Sequence, residues 1–440
     1  MKRRVLFIAH NHPSVRPGGA EAYAYELHRA FAALPNYESI LLAKGGPPVG
    51  HSGSLHPGTY FGPVDRAEDE YFFYTDGYEF DHLFGTQPGK EFYTRHFRNF
   101  LQAYKPDLVH FQHTLFLGYD MIREVKNTLP DTPILYTLHE YLPICHRYGQ
   151  MVRTGTEELC YRASPRRCHE CFPSISPQTF FLRERFIKSH FELVDLFLAP
   201  SEFLRQRYIE WGIPANKIRQ EEYGRHGAPR RAWTQERAFR DRLGFFGQLS
   251  FFKGVNVLLE AMQILLRDAA RSPVDQGGGV PLLRVHGANL ELQPGEFQNR
   301  FKQLLKETES VVKFVGKYDH EQLPELMEHV DWVIVPSVWW ENSPLVIQEA
   351  FQHGRPVICS SIGGMAEKVT DQVNGLHFTV GDPMSLANVI TRAVGTPGLW
   401  ESLRDGILSV YPMREHVQRL TEIYGSLLAR RDLQAVADVG

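Results

Sequence analysis

Short hydrophobic runs recur along this chain and alternate with longer segments of helical periodicity. In the first half, the runs predict strands at Val5–Ala9, Ser39–Ala43, Leu108–Phe111, Ile134–Leu138 and Leu196–Ala199. In the second half, they predict strands at Leu243–Phe246, Leu282–His286, Val311–Val315, Trp332–Val335 and Pro356–Cys359. Regular alternation of strands and helices is typical of α/β domains, in which helices cover both faces of a parallel sheet.

The length of the chain indicates two domains. A chain of 440 residues exceeds what one ordinary core accommodates. The segment Arg219–Arg242 is rich in charge and contains glycine and proline, so it is the predicted connection. Six arginines in Arg225–Arg242 are interpreted as a solvated linker face, with contact to an anionic ligand as the alternative. The predicted parts are residues 1–225, with insertions at 44–97 and 141–177, then 240–412, and a final helix within 413–440.

Composition narrows the class of protein. Hydrophobic residues make up 43% of the chain and charged residues 22%, as in folded soluble proteins. The net charge of −3 gives no general attraction to nucleic acid or to an anionic membrane. The start of the chain is basic, but its hydrophobic run is too short for a secretion signal, so a buried strand and a cytoplasmic location are expected. No stretch is long enough to span a bilayer, and peripheral contact at the inner face of the membrane is left open.

The most informative residues are Glu341 and Glu349. The hydrophobic run before them ends in Pro336-Ser337, which predicts a strand followed by a turn. Pro344 lies where a helix is expected to begin, because proline is tolerated in the first helical turn. Glu341 is therefore predicted in a loop at the carboxyl end of a strand and Glu349 on the next helix. Parallel sheets bind ligands at that edge, although two glutamates alone could equally be surface acids.

With these neighbours, the segment Phe245–Asp382 resembles the donor-binding half of the family 4 retaining glycosyltransferases. The shared features are the two glutamates, the Pro-Ser before them and Gly363-Gly364 after the next strand. The resemblance implies a GT-B fold, with two facing Rossmann-like, doubly wound domains, a central cleft and a final helix that returns to the first domain. It also implies that Glu341 contacts the donor sugar and that Glu349 holds the ribose hydroxyls. The expected donor-binding residues in the same segment also include Ser343 and Leu345.

Two further loops are expected to contact the donor. Gly18 and Gly19 lie between the first strand and a helix, where glycines permit close approach and free N–H groups favour an anion. They match the Gly-Gly-Ala-Glu pattern of the family, although a simple turn needs the same residues. In the second half, Lys253 stands where the family has a lysine that stabilises the departing diphosphate. Gln248 stands where the family usually has an arginine, so a positive charge is missing there.

On the acceptor side, His139 ends a predicted strand. The family has a Thr-x-His at this place, which implies that His139 positions hydroxyl groups of the donor or acceptor. A lone histidine is more often a structural hydrogen-bonding group. His110 and His113 also lie at a strand end and are interpreted as walls of the pocket. The aromatic residues within 44–97 are interpreted as a lid over the acceptor, with core packing as the alternative.

Four of the five cysteines fall within one short stretch. They are Cys145, Cys160, Cys168 and Cys171. A C-x-x-C pair with two nearby cysteines can form a tetrahedral zinc site, which would be structural and would hold the insertion at 141–177 together. An iron–sulfur cluster, disulfides and free thiols are the alternatives, and a reducing cytoplasm argues against disulfides.

Together these observations predict a retaining glycosyltransferase that needs no cofactor for catalysis. The expected donor is a UDP- or GDP-sugar, and the expected acceptor is a carbohydrate or a lipid-linked sugar in polysaccharide or cell-surface glycan synthesis. A nucleotide-sugar epimerase of the same fold is one alternative, but its additional acid–base residues are not identifiable. A non-catalytic sugar-nucleotide-binding subunit is another, favoured only by Gln248.

Overall fold

The computed structural model describes residues 2–15, 18–46, 61–75, 77, 79–227, 239–271 and 279–437. The chain divides into two compact units. The first unit comprises Met1–Gly224 and Met413–Gly440, and the second unit comprises Arg225–Pro412. Residues 228–238 of the predicted connection and 47–60 of the predicted insertion lie outside the described residues. Each unit has its own sheet.

The first unit contains an eight-stranded sheet in the order β3-β4-β2-β1-β5-β6-β7-β8. Its strands are β1 (Arg3–Ala9), β2 (Tyr37–Gly45), β3 (Phe61–Pro63), β4 (Glu70–Tyr74), β5 (Leu108–Phe111), β6 (Ile134–Thr137), β7 (Leu196–Ala199) and β8 (Ile218–Gln220). Only the β3–β4 pair is antiparallel among the described pairs. The three strands β5, β6 and β7 are buried along their whole length, as expected for parallel strands covered on both faces.

Six helices of the first unit precede the second unit in the chain. They are α1 (Gly19–Ala32), α2 (Arg98–Tyr104), α3 (Asp120–Thr128), α4 (Pro165–Cys171), α5 (Pro177–Phe191) and α6 (Glu202–Trp211). A π-helical turn at Phe92–Phe97 leads into α2, and a 3-10 turn at Ala215–Lys217 leads into β8.

Part of the predicted insertion at 44–97 is an integral part of this sheet. It forms β3 and β4, which extend the sheet beyond β2. Phe73 of β4 is fully buried and stacks on Phe61 and on Phe92, with ring centroids 4.3 and 4.1 Å apart. Core packing, the alternative to a lid, therefore applies to Phe73, whereas Tyr71, Phe72 and Tyr74 are half-buried and a role in a lid over the acceptor stays a prediction for them.

The second unit contains a six-stranded parallel sheet in the order β11-β10-β9-β12-β13-β14. Its strands are β9 (Arg242–Gln248), β10 (Leu282–Ala288), β11 (Val312–Gly316), β12 (Trp332–Val335), β13 (Val357–Ser360) and β14 (Gly375–Phe378). Its helices are α7 (Val255–Arg271), α8 (Gly295–Glu307), α9 (Leu323–Glu328), α10 (Leu345–Gln352), α11 (Gly363–Lys368), α12 (Pro383–Gly395) and α13 (Leu399–Asp405), with 3-10 turns at Phe251–Lys253, Leu290–Leu292 and His320–Gln322.

Alternate residues of these strands build two cores on opposite faces of the sheet. Phe245 and Ile334 pack in a core with residues of α7 and α12. Phe246 and Val335 pack in a second core with residues of α9 and α10. Successive side chains of a strand point to opposite faces, and both faces of this sheet are buried. Its strands therefore need unbroken hydrophobic runs and not an alternation of hydrophobic and polar residues. That requirement explains why the runs predicted these strands.

The final helix, α14 (Met413–Ala437), belongs to the first unit. Two of its side chains reach buried groups of that unit. Tyr424 lies with its hydroxyl oxygen 2.7 Å from Nδ1 of His110, and His416 lies with Nε2 2.8 Å from the hydroxyl of Tyr23. Within the described ranges, no helix combines the length and the hydrophobicity that crossing a membrane requires.

Candidate active site

The topology of the second sheet places two predicted site loops side by side. From β9 the chain adds β10 and β11 on one side, then returns to add β12 on the other side. Strands β9 and β12 are neighbours, with Leu243 paired with Trp332. Their carboxyl ends form a topological switch point, where open parallel sheets bind ligands. Lys253 and Glu341 lie in the loops that follow these two strands.

The two loops are in direct backbone contact. The amide of Val338 donates a hydrogen bond to the carbonyl of Phe252 at 2.9 Å. Gly254 has φ of 68°, and a Cβ there would lie 1.8 Å from the carbonyl oxygen of Pro336. Only glycine fits this position without moving the loop, because it tolerates positive φ and has no side chain.

This approach brings Lys253 and Glu341 together. Nζ of Lys253 lies 2.6 Å from Oε1 of Glu341, across 88 residues of sequence. The same oxygen accepts hydrogen bonds from the hydroxyl of Ser337 at 2.8 Å and from the indole N–H of Trp339 at 3.0 Å. Three donors on one oxygen fix the orientation of a carboxylate that is only 5% exposed.

The loop after β13 holds the backbone of the same glutamate. The amide of Gly364 donates to the carbonyl of Glu341 at 2.7 Å. A Cβ on Gly364 would lie 1.5 Å from the carbonyl oxygen of Asn342, and Gly363 has φ of 55°. The glycine pair therefore allows a third loop to pack against the Glu341 loop, which explains its place in the motif.

Glu349 lies on α10 and is also mostly buried. Its Oε1 accepts from Nη2 of Arg225 at 3.2 Å, and Nδ1 of His320 lies 3.8 Å from the same oxygen. Arg225 is 5% exposed, so its interpretation as a solvated linker residue is wrong. The sequence placed Arg225 among six arginines and did not single it out as a partner of Glu349, since nothing local distinguishes it from the charged residues that follow.

The other residues of the second unit that are predicted to bind the sugar donor lie around the same loops. Gln248 ends β9 with an exposed side chain. Ser343 is buried, and Leu345 is the half-buried first residue of α10. Their contacts with a donor stay predictions.

In the first unit, His139 follows β6 at the carboxyl edge of the sheet. Its Nε2 lies 3.0 Å from Oε1 of Gln112, and its Nδ1 lies 2.6 Å from the hydroxyl of Tyr223. An amide oxygen only accepts, so Nε2 carries the proton and Nδ1 accepts from the tyrosine. Burial lowers the pKa of His139 well below its usual value, and His113 and His10 lower it further. The imidazole is therefore neutral and fixed by two partners.

A second polar group lies near Gly18 and Gly19. Oε1 of Glu21 lies 3.0 Å from Nε2 of His10, and a Cβ on Gly18 would meet the other Glu21 oxygen at 2.5 Å. Burial opposes ionisation of Glu21, but the hydrogen bond from His10 is the largest of the effects that lower its pKa below the usual value. A carboxylate thus occupies the start of α1, where the sequence predicted an anion-binding loop. His10 was not singled out by sequence reasoning.

The rings of His10 and His113 are in contact, with centroids 4.2 Å apart. Nε2 of His113 lies 3.4 Å from Oε1 of Glu140, which follows His139 in the chain. The edge of the first sheet therefore presents two carboxylates and several imidazoles. Such groups suit hydroxyl-rich ligands better than phosphates.

The four clustered cysteines line one cavity of the first unit. All are free thiols. Among the described residues, the only group of three or more metal-binding side chains with ligand atoms within 4.8 Å of one another lies elsewhere, at His28, Asp69 and Glu70. The oxygens of Glu70 in that group already lie 3.7 Å from Nη1 of Arg29 and 3.2 Å from Nε2 of His12, as in a buried polar network.

Solved structures identify the fold. The chain aligns with sucrose-phosphate synthase from Thermosynechococcus elongatus at a TM-score of 0.70 and 19% identity, covering 98% of this chain and 100% of that one. It aligns with Anabaena HepE in complex with UDP-glucose at a TM-score of 0.61 and 17% identity, covering 96% and 99%. The fold is therefore GT-B, as the resemblance implied.

Family models cover both units. Residues 17–220 match the model described as Glycosyltransferase Family 4, and residues 240–395 match Glycosyl transferases group 1. The chain belongs to this glycosyltransferase family. It is 30% identical over 179 residues to an uncharacterized glycosyltransferase of Methanocaldococcus jannaschii, covering 39% of this chain and 42% of that protein. It is 29% identical over 181 residues to D-inositol 3-phosphate glycosyltransferase of Jonesia denitrificans, covering 41% and 40%. The chain thus spans about two fifths of the length of these curated relatives.

The loop contact at Gly254 generates a testable prediction. In Gly254→Ala, the new methyl group collides with the Pro336 carbonyl and the backbone adopts positive φ, which costs about 1–3 kcal/mol. We expect a lower melting temperature and weaker binding of nucleoside diphosphates by calorimetry. Gly295→Ala is the matched control, because a Cβ there meets nothing within 4 Å. Equal behaviour of the two variants would contradict the account of this loop.

Proposed function

We propose that the protein transfers a sugar, with retention at the anomeric carbon, from a UDP- or GDP-linked donor to a carbohydrate or glycolipid acceptor. The reaction would serve polysaccharide or cell-surface glycan synthesis. The observation that carries this proposal is the contact of Lys253 with Glu341, at 2.6 Å, at the switch point of the second sheet. The Anabaena neighbour crystallised with UDP-glucose supports the donor class.

The ion pair of Lys253 with Glu341 suits a site that binds a diphosphate. A donor diphosphate would compete with Glu341 for the ammonium group of Lys253. Negative charge would build up on the diphosphate as its bond to the sugar breaks, and Lys253 would stabilise that charge. Glu341 would then accept hydrogen bonds from hydroxyls of the donor sugar. Ser337 and Trp339 would keep the carboxylate in place during this exchange.

Arg225 offers the charge that Gln248 lacks. Its guanidinium is buried against Glu349, the residue proposed to hold the ribose hydroxyls. A fixed positive charge there holds the carboxylate of Glu349 in one orientation, and it would add to the positive potential at the diphosphate. The exposed amide of Gln248 would then contribute hydrogen bonds only.

The proposed route to retention does not use Glu341 as a nucleophile. Its Oε1 already accepts three hydrogen bonds, which lower the reactivity of a carboxylate. The proposed course is attack of the acceptor hydroxyl from the leaving-group side, with a donor phosphate oxygen taking up its proton. The enzyme then contributes positioning and electrostatic stabilisation of an oxocarbenium-like state.

The first unit would bind the acceptor. Its edge presents Glu21, His10, His113 and Glu140 at the carboxyl ends of parallel strands. Carboxylates accept hydrogen bonds from hydroxyls, and neutral imidazoles both donate and accept them. His139 would support this surface from behind, because Gln112 and Tyr223 occupy both of its nitrogens.

A donor panel tests the proposed activity. We expect purified protein, given labelled UDP- and GDP-sugars with oligosaccharide acceptors, to form a glycoside whose anomeric configuration by NMR matches the donor. Interconversion of donors without acceptor would instead identify an epimerase. Binding without turnover of any donor would identify a sugar-nucleotide-binding subunit.

Removal of the cation at Lys253 should slow the reaction. In Lys253→Ala, we expect kcat to fall about 100-fold or more, with a smaller change in donor affinity, because charge on the diphosphate grows in the transition state. Lys313→Ala, at an exposed position of β11, is the control and should keep full activity. A Lys253→Ala enzyme with normal kcat would refute the assigned role.

Glu349→Gln should weaken nucleotide binding with little effect on the reaction once donor is bound. The substitution keeps the shape but removes the charge that pairs with buried Arg225, so we expect Kd for UDP or GDP to rise about tenfold, or about 1.4 kcal/mol. Glu325→Gln on the surface of α9 is the control. Calorimetry that finds equal Kd values for both variants would remove Glu349 from the nucleotide site.

A further inference from the structure

The segment between β6 and α5 is held by few hydrophobic contacts. Its short helix α4 has no buried side chain. Between Cys145 and Cys171, its buried hydrophobic residues are Met151 and Val152. Small irregular segments that bury little hydrophobic surface usually need a covalent or metal cross-link.

A hairpin brings the first two cysteines together. Val152 and Leu159 form an antiparallel bridge, and the amide of Cys160 donates to the carbonyl of Met151 at 2.7 Å. The backbone amides of Arg147 and Met151 lie near the sulfur of Cys145. Met151 thus lies between the two thiols, so the hairpin joins residues that are 15 positions apart in sequence.

The second pair lies on α4. Cys168 and Cys171 are three residues apart, so both lie on one face of the helix. The helix is tied to the hairpin by the hydroxyl of Thr154, which donates to the carbonyl of Cys171 at 2.7 Å. A salt bridge of Arg153 with Glu170, at 2.7 Å, adds a second tie.

As a result, all four thiols line a single cavity. We infer that this cavity binds one zinc ion through Cys145, Cys160, Cys168 and Cys171, and that the ion holds the segment in place. The site is separate from the residues proposed for sugar transfer, and the inference does not depend on that function. Four thiolates in a closed tetrahedral shell are the ligand set of structural zinc.

The surroundings suit a negatively charged centre. Four thiolates and one Zn²⁺ carry a net charge of −2, which buried surroundings disfavour unless cations are near. Arg147, Arg153 and Arg167 line the same cavity. Buried Arg183 of α5 donates to the carbonyls of Leu142 and Pro143, next to Cys145, at 2.6 and 2.8 Å.

Metal binding requires the cage to contract and the thiols to ionise. No three of the sulfurs lie within 4.8 Å of one another, whereas Zn–S bonds of about 2.3 Å place tetrahedral sulfurs about 3.8 Å apart. Burial raises the pKa of the Cys145 thiol to about 11 and that of Cys168 to about 12. Bound zinc offsets this by displacing the protons. All four cysteines are half-buried, and they lie on a short helix and around a hairpin.

The ion would fix the chain directly after Glu140. The tightly turned stretch from Tyr141 to Gly149 links β6 to Cys145, with the amides of Cys145 and Gly149 bonded to the carbonyls of Tyr141 and Cys145 at 2.8 and 3.0 Å. A cross-link at Cys145 therefore limits motion of Glu140 and His139 at the edge of the sheet.

Metal analysis of untagged protein tests the site. We expect about one zinc per chain by mass spectrometry of the elements, and loss of most of it in Cys168→Ser. Cys359→Ser is the matched control, because that thiol is fully buried in β13 of the other unit and should leave the zinc content unchanged.

Because Cys168→Ser could fail to fold, the wild-type protein is also titrated with a mercurial reagent. Stoichiometric zinc release that follows modification of four thiols would support the site, as would a thiolate-to-cobalt charge-transfer band after exchange with Co²⁺. Protein without metal whose thiols react freely would overturn the inference. Two other results would also overturn it. One is a protein mass lower by two or four hydrogen atoms, which indicates disulfides. The other is iron together with acid-labile sulfide, which indicates an iron–sulfur cluster.

Discussion

The close approach of the loops after β9 and β12 is the constraint on which the second unit depends. Strand order makes these loops neighbours, and the missing side chain of Gly254 lets the backbone of one pass against the carbonyl of Pro336 in the other. Lys253 then reaches Glu341, although 88 residues separate them. A side chain at position 254 would separate the loops and break the ion pair without changing either charged residue.

The two units differ in the charges at their sheet edges. In the second unit, each central glutamate is matched by a cation, with Lys253 on Glu341 and Arg225 on Glu349. In the first unit, Glu21 and Glu140 lie against histidines, and burial holds the pKa of His10 below its usual value. Cations that an anionic ligand can draw away from carboxylates suit a diphosphate. Carboxylates beside imidazoles suit sugar hydroxyls.

Hydrophobic runs predicted the fully buried strands with little error, and β5, β7 and β12 have the expected bounds. Four strands at or next to the sheet edges were not predicted, namely β3, β4, β8 and β14, and β3 and β8 have only three residues each. A short edge strand depends on its neighbour for hydrogen bonds, so local sequence carries little signal for it.

The structure brings together Lys253, Glu341 and Gly363-Gly364, which the sequence motifs had placed in loops after strands, and their roles stay predictions. Arg225 could not be predicted, because its burial depends on a pairing with Glu349 across 124 residues. The carboxylate of Glu21 at the start of α1 was also missed, since the glycine pattern indicates backbone shape and not which group occupies the space. The cysteine spacing predicted a cluster, and the shared cavity depends on the hairpin at 151–160 and on α4.

The proposed activity requires that the switch point of the second sheet hold the donor diphosphate. Hydrogen–deuterium exchange with and without saturating UDP or GDP measures this for each loop. Exchange is expected to slow at the backbone amides of residues 249–254 and 336–349 when the nucleotide binds. Unchanged exchange in both segments, with protection confined to the first unit, would contradict it.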